Sequence, residues 1–172
     1  MCMKKIILLT LVFILAVGLS AVPRVIYVAP DGSSSESVDG ASWDNAVSLS
    51  RARALVALNN SKPEPEEIHI WMKSGTYNLT SSFKINLKIT IYGGFSGNET
   101  SLSERNWVIN QTIFNQTGQA TVIWGNTQDD VLRDGLILQG GRPDGGNGCG
   151  QIAQGTTLRN CIIRNNKGTG SV

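Results

Sequence analysis

The best-placed carboxylates in the sequence are Asp129 and Asp130 in "NTQDDVLRDG", with Asp134 four residues further on. Two carboxyl groups at a fixed separation can hydrolyse a glycosidic bond, one as acid and the other as base or nucleophile. Neighbours on a strand point to opposite faces, so Asp129 and Asp130 share a site only at a turn. The competing reading is turn capping ahead of a strand at 136–138. A second acidic set, Asp31, Glu36 and Asp39, lies in the serine-rich stretch "PDGSSSESVDG". Carboxylates and carbonyls suit calcium, but the EF-hand spacing is absent and solvated turn acids fit the pattern better. Trp107 and Trp124 offer ring faces for sugars unless a core absorbs them. His69, the only histidine, sits in "EIHIWM" opposite Ile68 and Ile70, and no sequence partner completes a catalytic triad. Cys149 and Cys161 either pair or serve as small core residues. They have no neighbouring histidine and no CxxC spacing, so no zinc site is expected. No cofactor is expected either.

The elements that position these groups begin after an export signal. Lys4 and Lys5 precede a run from Ile6 to Val17 in which only Thr10 is polar, and small residues follow at Gly18, Ser20 and Ala21. This is the layout of a secretory signal peptide over 1–21. The run falls short of the roughly 20 apolar residues that span a bilayer, so no membrane span is expected after cleavage. Removing 1–21 takes two lysines and leaves thirteen basic and thirteen acidic residues. A neutral chain has no basic face for phosphates, which argues against nucleic acid as a partner.

Past the signal, 22–66 reads as a cap. It has a short strand at 25–28, a turn at Pro30, Asp31 and Gly32, and a helix over about 43–58 with Ser42 as N-cap. Trp43, Val47, Ala54, Leu55 and Leu58 would form its apolar stripe, interrupted by Arg51. From 67 to 172 the pattern changes to short strands separated by glycine and asparagine: "IHIWM", "KITIYGG", "QTIFN", "TVIWGN", "LILQGG" and "CIIRNN". "LRDGLILQGG" aligns on "LRNCIIRNNK" with Leu132 over Leu158, 26 residues apart, and Ile91, Ile113 and Ile137 recur at 22 and 24. Spacings of this size predict an all-β, right-handed parallel β-helix, a solenoid of first coils under the cap. The alternative is a β-sandwich.

"VIYVAPDGS", "DGASWDNAVSLSRA" and "IYGGFSGNETSLSERNW" resemble the cap and first coil of secreted and surface β-helix proteins of Bacteroidetes-type bacteria, within the pectate-lyase-like superfold. "CIIRNN" is similar to the repeat of polymorphic outer-membrane proteins, and "GGNGCG" is a looser match. The resemblance implies export to the cell surface, the outer membrane or the extracellular space. It does not imply one activity, because such a fold hosts many. The expected function is non-catalytic, with glycan or host-surface binding. The alternatives are a remnant of a polysaccharide lyase or glycoside hydrolase, and a structural spacer. In "IYGGFSGNETSLSERNW", Gly93 and Gly94 are expected to make a sharp turn, and Glu99 and Glu104 to decorate a lateral loop. The C-terminus, ending soon after a strand, reads as truncated, with an open end able to self-associate.

Overall fold

The computed structural model describes residues 22–84, 89–120, 122–124, 131–142, 150–151 and 156–168. The expected signal peptide, Asp129, Asp130, Cys149 and "GGNG" lie outside them. The strands are β1 (Arg24–Ser33), β2 (Ile68–Lys73), β3 (Gly75–Leu79), β4 (Phe83–Lys84), β5 (Ile89–Phe95), β6 (Thr112–Gln116), β7 (Ile123–Trp124), β8 (Val131–Asp134), β9 (Leu136–Gln139), β10 (Gly150–Gln151), β11 (Thr156–Arg159) and β12 (Ile162–Arg164), with one α-helix, α1 (Leu49–Asn60). They form a five-stranded sheet ordered β1-β2-β5-β8-β11, a four-stranded sheet ordered β12-β9-β6-β3 and a small three-stranded sheet ordered β10-β7-β4. Every pairing within them is parallel.

This corrects the expected fold class. The described chain is of α/β type, two principal parallel sheets with a helix packed on them, rather than an all-β chain. Residues 85–88, 125–130 and 152–155, which lead from the small sheet back to the five-stranded one, lie outside the described residues, so no closed solenoid is shown. The β-sandwich alternative fails on different grounds, since a sandwich is built from antiparallel pairs and these are parallel.

Parallel pairing stacks equivalent residues into columns. In the five-stranded sheet Ile26, Ile70 and Ile91 face one another in register. In the four-stranded sheet the column is Tyr77, Phe114, Leu138 and Ile163. All but Ile163 meet in one core with Phe83, Val122 and the helix residues Ala52, Leu55 and Val56. The opposite face of the five-stranded sheet carries a second core of Trp71, Tyr92 and Phe95, packed with Tyr27, Trp43, Leu102 and Leu132. Trp71 stacks on Phe95 at 4.7 Å between ring centroids.

The repeat register also differs from the sequence alignment. Leu158 pairs with Arg133 and Ile162 with Ile137, so the offset is 25 residues instead of 26. A slip of one residue exchanges the two faces of a strand. The correct register puts Arg133 in the inward column after Ile91 and sends Asp134 outward beside Tyr92. Arg133 is buried, its Nε has no partner among the described residues, and burial pushes its pKa down to about 10. Ile91 and Ile113, matched in sequence, belong to different sheets.

Helix α1 starts at Leu49, later than expected, because the preceding residues have other work. Val47 bridges to Val28 and Ser33 in extended form, and Trp43 lies in the second core. Ser48, not Ser42, is the N-cap, its side chain accepting the Arg51 N–H at 3.3 Å. The buried stripe is Ala52, Leu55, Val56 and Asn59, so Ala54 and Leu58 face solvent. Arg51 reaches back to the backbone oxygens of Val38 and Glu36 at 3.2 and 2.6 Å, which pins the serine-rich stretch to the helix. Strand β1 runs through Pro30 where a stop was expected. It is an edge strand, where a missing N–H is tolerated.

Gly93 and Gly94 likewise stay within a strand. Trp71 pairs with Tyr92 and Lys73 with Phe95, so two residues of β5 oppose Met72 alone: a β-bulge. A Cβ on Gly93 would lie 2.4 Å from the Gly135 oxygen, and Gly94 has φ +97° with a Cβ position 2.7 Å from the Trp107 Cα. The double glycine is a close-approach device more than a turn.

Phe114 is fully buried between Tyr77 and Phe83, at 6.0 and 5.4 Å. Phe114→Ala is expected to cost about 3–5 kcal/mol in denaturant unfolding. Leu58→Ala, at a residue that is 60% exposed on the outer helix face, should change stability by less than about 0.5 kcal/mol. A similar cost for both would contradict the assigned core.

Candidate functional site

Where the first turn of α1 approaches β3, the surface opens into a cleft of about 400 Å³. Hydroxyl and amide side chains dominate its lining: Ser48, Ser50, Thr76, Asn78, Thr80 and Ser81. Arg53 is the one charged residue among the described lining residues, and its guanidinium carbon lies 5.4 Å from the centre of the Phe83 ring. Strand alternation explains the mixture. Tyr77 turns into the core, while Thr76 and Asn78 on either side of it point out. Tyr77 also borders the cleft, and its hydroxyl is shared between the carbonyl oxygens of Val28 and Lys73 at 3.1 and 2.9 Å. Those two bonds fix the ring in place, and burial holds its phenol well above the usual tyrosine range.

From the cleft an amide ladder crosses the four-stranded sheet. Asn78, Asn115, Gln139 and Arg164 occupy one register position on β3, β6, β9 and β12. Asn115 Nδ2 donates to Asn78 Oδ1 at 2.8 Å, Gln139 Nε2 to Asn115 Oδ1 at 3.2 Å, and Arg164 Nε to Gln139 Oε1 at 3.0 Å.

Asp134 is built into a different arrangement. Its side chain is fully buried and accepts from Arg105 Nη2 at 2.8 Å, Arg159 Nε at 2.7 Å and Asn160 Nδ2 at 2.8 Å. Burial alone would raise its pKa. The bonds from Asn160, Arg105 and Arg159 outweigh that and hold the carboxyl below the usual aspartate range. Arg105 also donates to the Gly93 oxygen and lies over the rings of Tyr92 and Trp107, at 5.2 and 4.8 Å. The network therefore clamps the 96–111 segment to the second core, and leaves Asp134 a poor proton acceptor. Glu99 and Glu104 order the same segment from within. The Glu99 carboxylate accepts the N–H groups of Ser96, Gly97 and Asn98, while Glu104 accepts those of Thr100 and Ser101.

The remaining sequence candidates are dispersed. Asp31 lines a smaller hollow of about 210 Å³ with Asp44 and Lys73. Asp39 accepts the Ala41 N–H, and Glu36 contributes its backbone oxygen to Arg51. Among the described residues no three of His, Cys, Asp and Glu gather as a metal site would need. Trp107 has Arg105 on one ring face and is 38% exposed, heading a turn whose Val108 and Ile109 face solvent. Trp124 lies on β7, with its side chain outside the described set. His69 is half-buried, 3.1 Å from Glu67 and edge-on to Tyr92. Cys161 is a free thiol donating to the carbonyl oxygens of Arg133 and Arg159. Among the described residues no helix is long and apolar enough to cross a membrane.

The chain matches no family model, no curated protein and no solved structure. Sequence reading missed the cleft because single serines, threonines and asparagines carry no motif. The one available signal was the "NLTSS" run after Tyr77, which is unusually hydroxyl-rich for a strand end.

The sign of the Asp134 effect follows from its depressed pKa. Its contribution is fully present above about pH 3.9, the unfolded value, and is lost as pH falls through the lower folded value. Asp134→Asn is expected to cost about 3–5 kcal/mol at pH 7, since it leaves Arg105, itself 7% exposed, without its counter-charge. The gap between variant and wild type should close as the solution is acidified below pH 4. Equal stabilities at pH 7 would contradict the clamp.

Proposed function

We propose that the protein is a non-catalytic, exported glycan-binding protein of the cell surface or extracellular space, with its ligand held in the cleft between α1 and β3. One observation carries the reading. The cleft combines hydroxyl and amide groups, which suit the many hydroxyls of a sugar, with an arginine laid over an aromatic ring. Such sites orient a ligand through a few placed polar groups on a preformed wall. Here the wall is rigid, because Tyr77 and Phe83 belong to the main core and Ser48 is fixed as a helix cap. The export signal read at 1–21 and the neutral net charge of the remaining chain are consistent with an extracellular setting.

Binding of the protein to a glycan array, followed by calorimetry on retained saccharides, tests the reading. Arg53→Ala and Asn78→Ala are each expected to weaken binding by about tenfold, the scale of one hydrogen bond. Trp107→Ala, across the molecule on the Arg105 clamp, should leave binding unchanged, with circular dichroism confirming all three folds. Retention of no saccharide, or full binding by the cleft variants, would sink the proposal in favour of a spacer or another surface.

A further inference from the structure

The amide ladder has a direction. An arginine side chain carries only donors, so whatever pairs with it must present an acceptor. Arg164 Nε donates to Gln139 Oε1, which turns the Gln139 amide nitrogen toward Asn115. Asn115 must then offer its oxygen to Gln139 and its nitrogen to Asn78. Asn78, last in the series, accepts through Oδ1 and is left with its Nδ2 hydrogens. No described residue takes them, and Asn78 lines the cleft. One arginine at the far edge thus sets the orientation of three amides and delivers a donor to the cleft, three strand spacings or about 14 Å away. Each bond in such a chain polarises the next. Around this donor the described lining has one cation, Arg53, and no carboxylate.

We infer that the cleft selects anionic saccharides, those bearing carboxylate or sulfate groups, and that Arg164 acts as a remote positioning residue by fixing the polarity of the ladder. The inference rests on the cleft being the glycan site. A neutral sugar hydroxyl can donate or accept and would be indifferent to which way Asn78 faces. An anionic oxygen only accepts, so the ladder discriminates in its favour.

The test compares a chondroitin sulfate hexasaccharide with its fully desulfated, carboxyl-reduced counterpart by calorimetry. The charged form is expected to bind about tenfold more tightly. The singly modified oligosaccharides, desulfated only or carboxyl-reduced only, identify which anion carries the preference. Arg164→Glu replaces the terminal donor with an acceptor and reverses the ladder, turning Asn78 Oδ1 to the cleft. It should weaken the preference, leaving only the share due to Arg53, while neutral binding persists, and Arg164→Lys, still a donor, should restore it. Lys167→Glu makes the same charge change off the ladder and should leave the preference intact, which separates polarity from long-range electrostatics. Gln139→Leu cuts the ladder midway, frees the Asn115 and Asn78 amides to face either way, and is expected to reduce the preference by less than Arg164→Glu, giving a second variant should that one fold poorly. Equal affinity of the wild type for charged and neutral forms overturns the inference and leaves the cleft reading standing. An unchanged preference in Arg164→Glu and Gln139→Leu overturns the ladder as its cause, and binding of neither form, together with a glycan array that retains nothing, removes the cleft reading itself.

Discussion

Parallel, in-register stacking is the constraint on which everything else depends. When strands pair this way, position n of one strand lies against its equivalent in the next, so a single residue type repeated down a column has a large effect and a single misfit is conspicuous. The column of Ile26, Ile70 and Ile91 makes one wall of the core, and that of Tyr77, Phe114 and Leu138 another. Shift either by one residue and the apolar set turns to water while the polar set turns inward, which is why the register is so strongly held. Arg133 is the misfit. It occupies an inward position beside Ile91 with its Nε unpartnered among the described residues, a costly placement for a cation.

The outward columns are put to two uses. On the five-stranded sheet the column Tyr27, Trp71, Tyr92, Asp134 and Arg159 passes from aromatic to charged. Its aromatic half is too apolar to leave in water, and the 96–111 segment with Trp43 covers it. Its charged half supplies the anchor that holds this cover, through Arg105. The cover, in turn, exists only because the β5 bulge at Gly93 and Gly94 lets Trp107 come against the strand. On the four-stranded sheet the outward column Asn78, Asn115, Gln139 and Arg164 stays uncovered, since every member can satisfy its neighbour and still be hydrated.

Much of this could be read from sequence, with limits that have physical causes. The strands at β2, β5, β6 and β9 are legible because each alternates β-branched or aromatic residues around a turn-forming neighbour. Strand β3 is not, since the chain turns the corner after β2 with Ser74 alone between them, and a period-two pattern carries no mark for a corner. Strands β8 and β11 hide because their columns include Arg133 and Asp134, which read as loop residues. The one-residue error in the repeat offset comes from aligning like with like, Leu132 on Leu158, where the structure sets Leu158 on Arg133. The helix was legible but misplaced, because Trp43 and Val47 share helical spacing with Leu55, while Trp43 packs on the opposite face of the sheet and Val47 joins the main core from extended backbone bridged to Val28 and Ser33. Asp134 illustrates the site problem: sequence identifies the carboxylate, and only the fold shows that Arg105, Arg159 and Asn160 converge on it from 25 to 29 residues away.

The two edges of the four-stranded sheet account for the direction of the ladder. Helix α1 buries Ala52, Leu55 and Val56 on the core, and the cleft forms between its first turn and β3, an edge strand of the four-stranded sheet. At the other end β10, β11 and β12 are the edges of their sheets, and Ile162 and Ile163 remain about half exposed. A ladder running between such ends can point either way in principle. Terminating it at the water-facing edge in an amide would leave both orientations nearly equal in energy. Terminating it in Arg164 removes the ambiguity: the guanidinium is solvated on its free side, has no acceptor to offer, and so forces every amide behind it to turn its oxygen toward the edge. The remaining donor then falls at the cleft end, beside Arg53, where an incoming acceptor is the group that can use it.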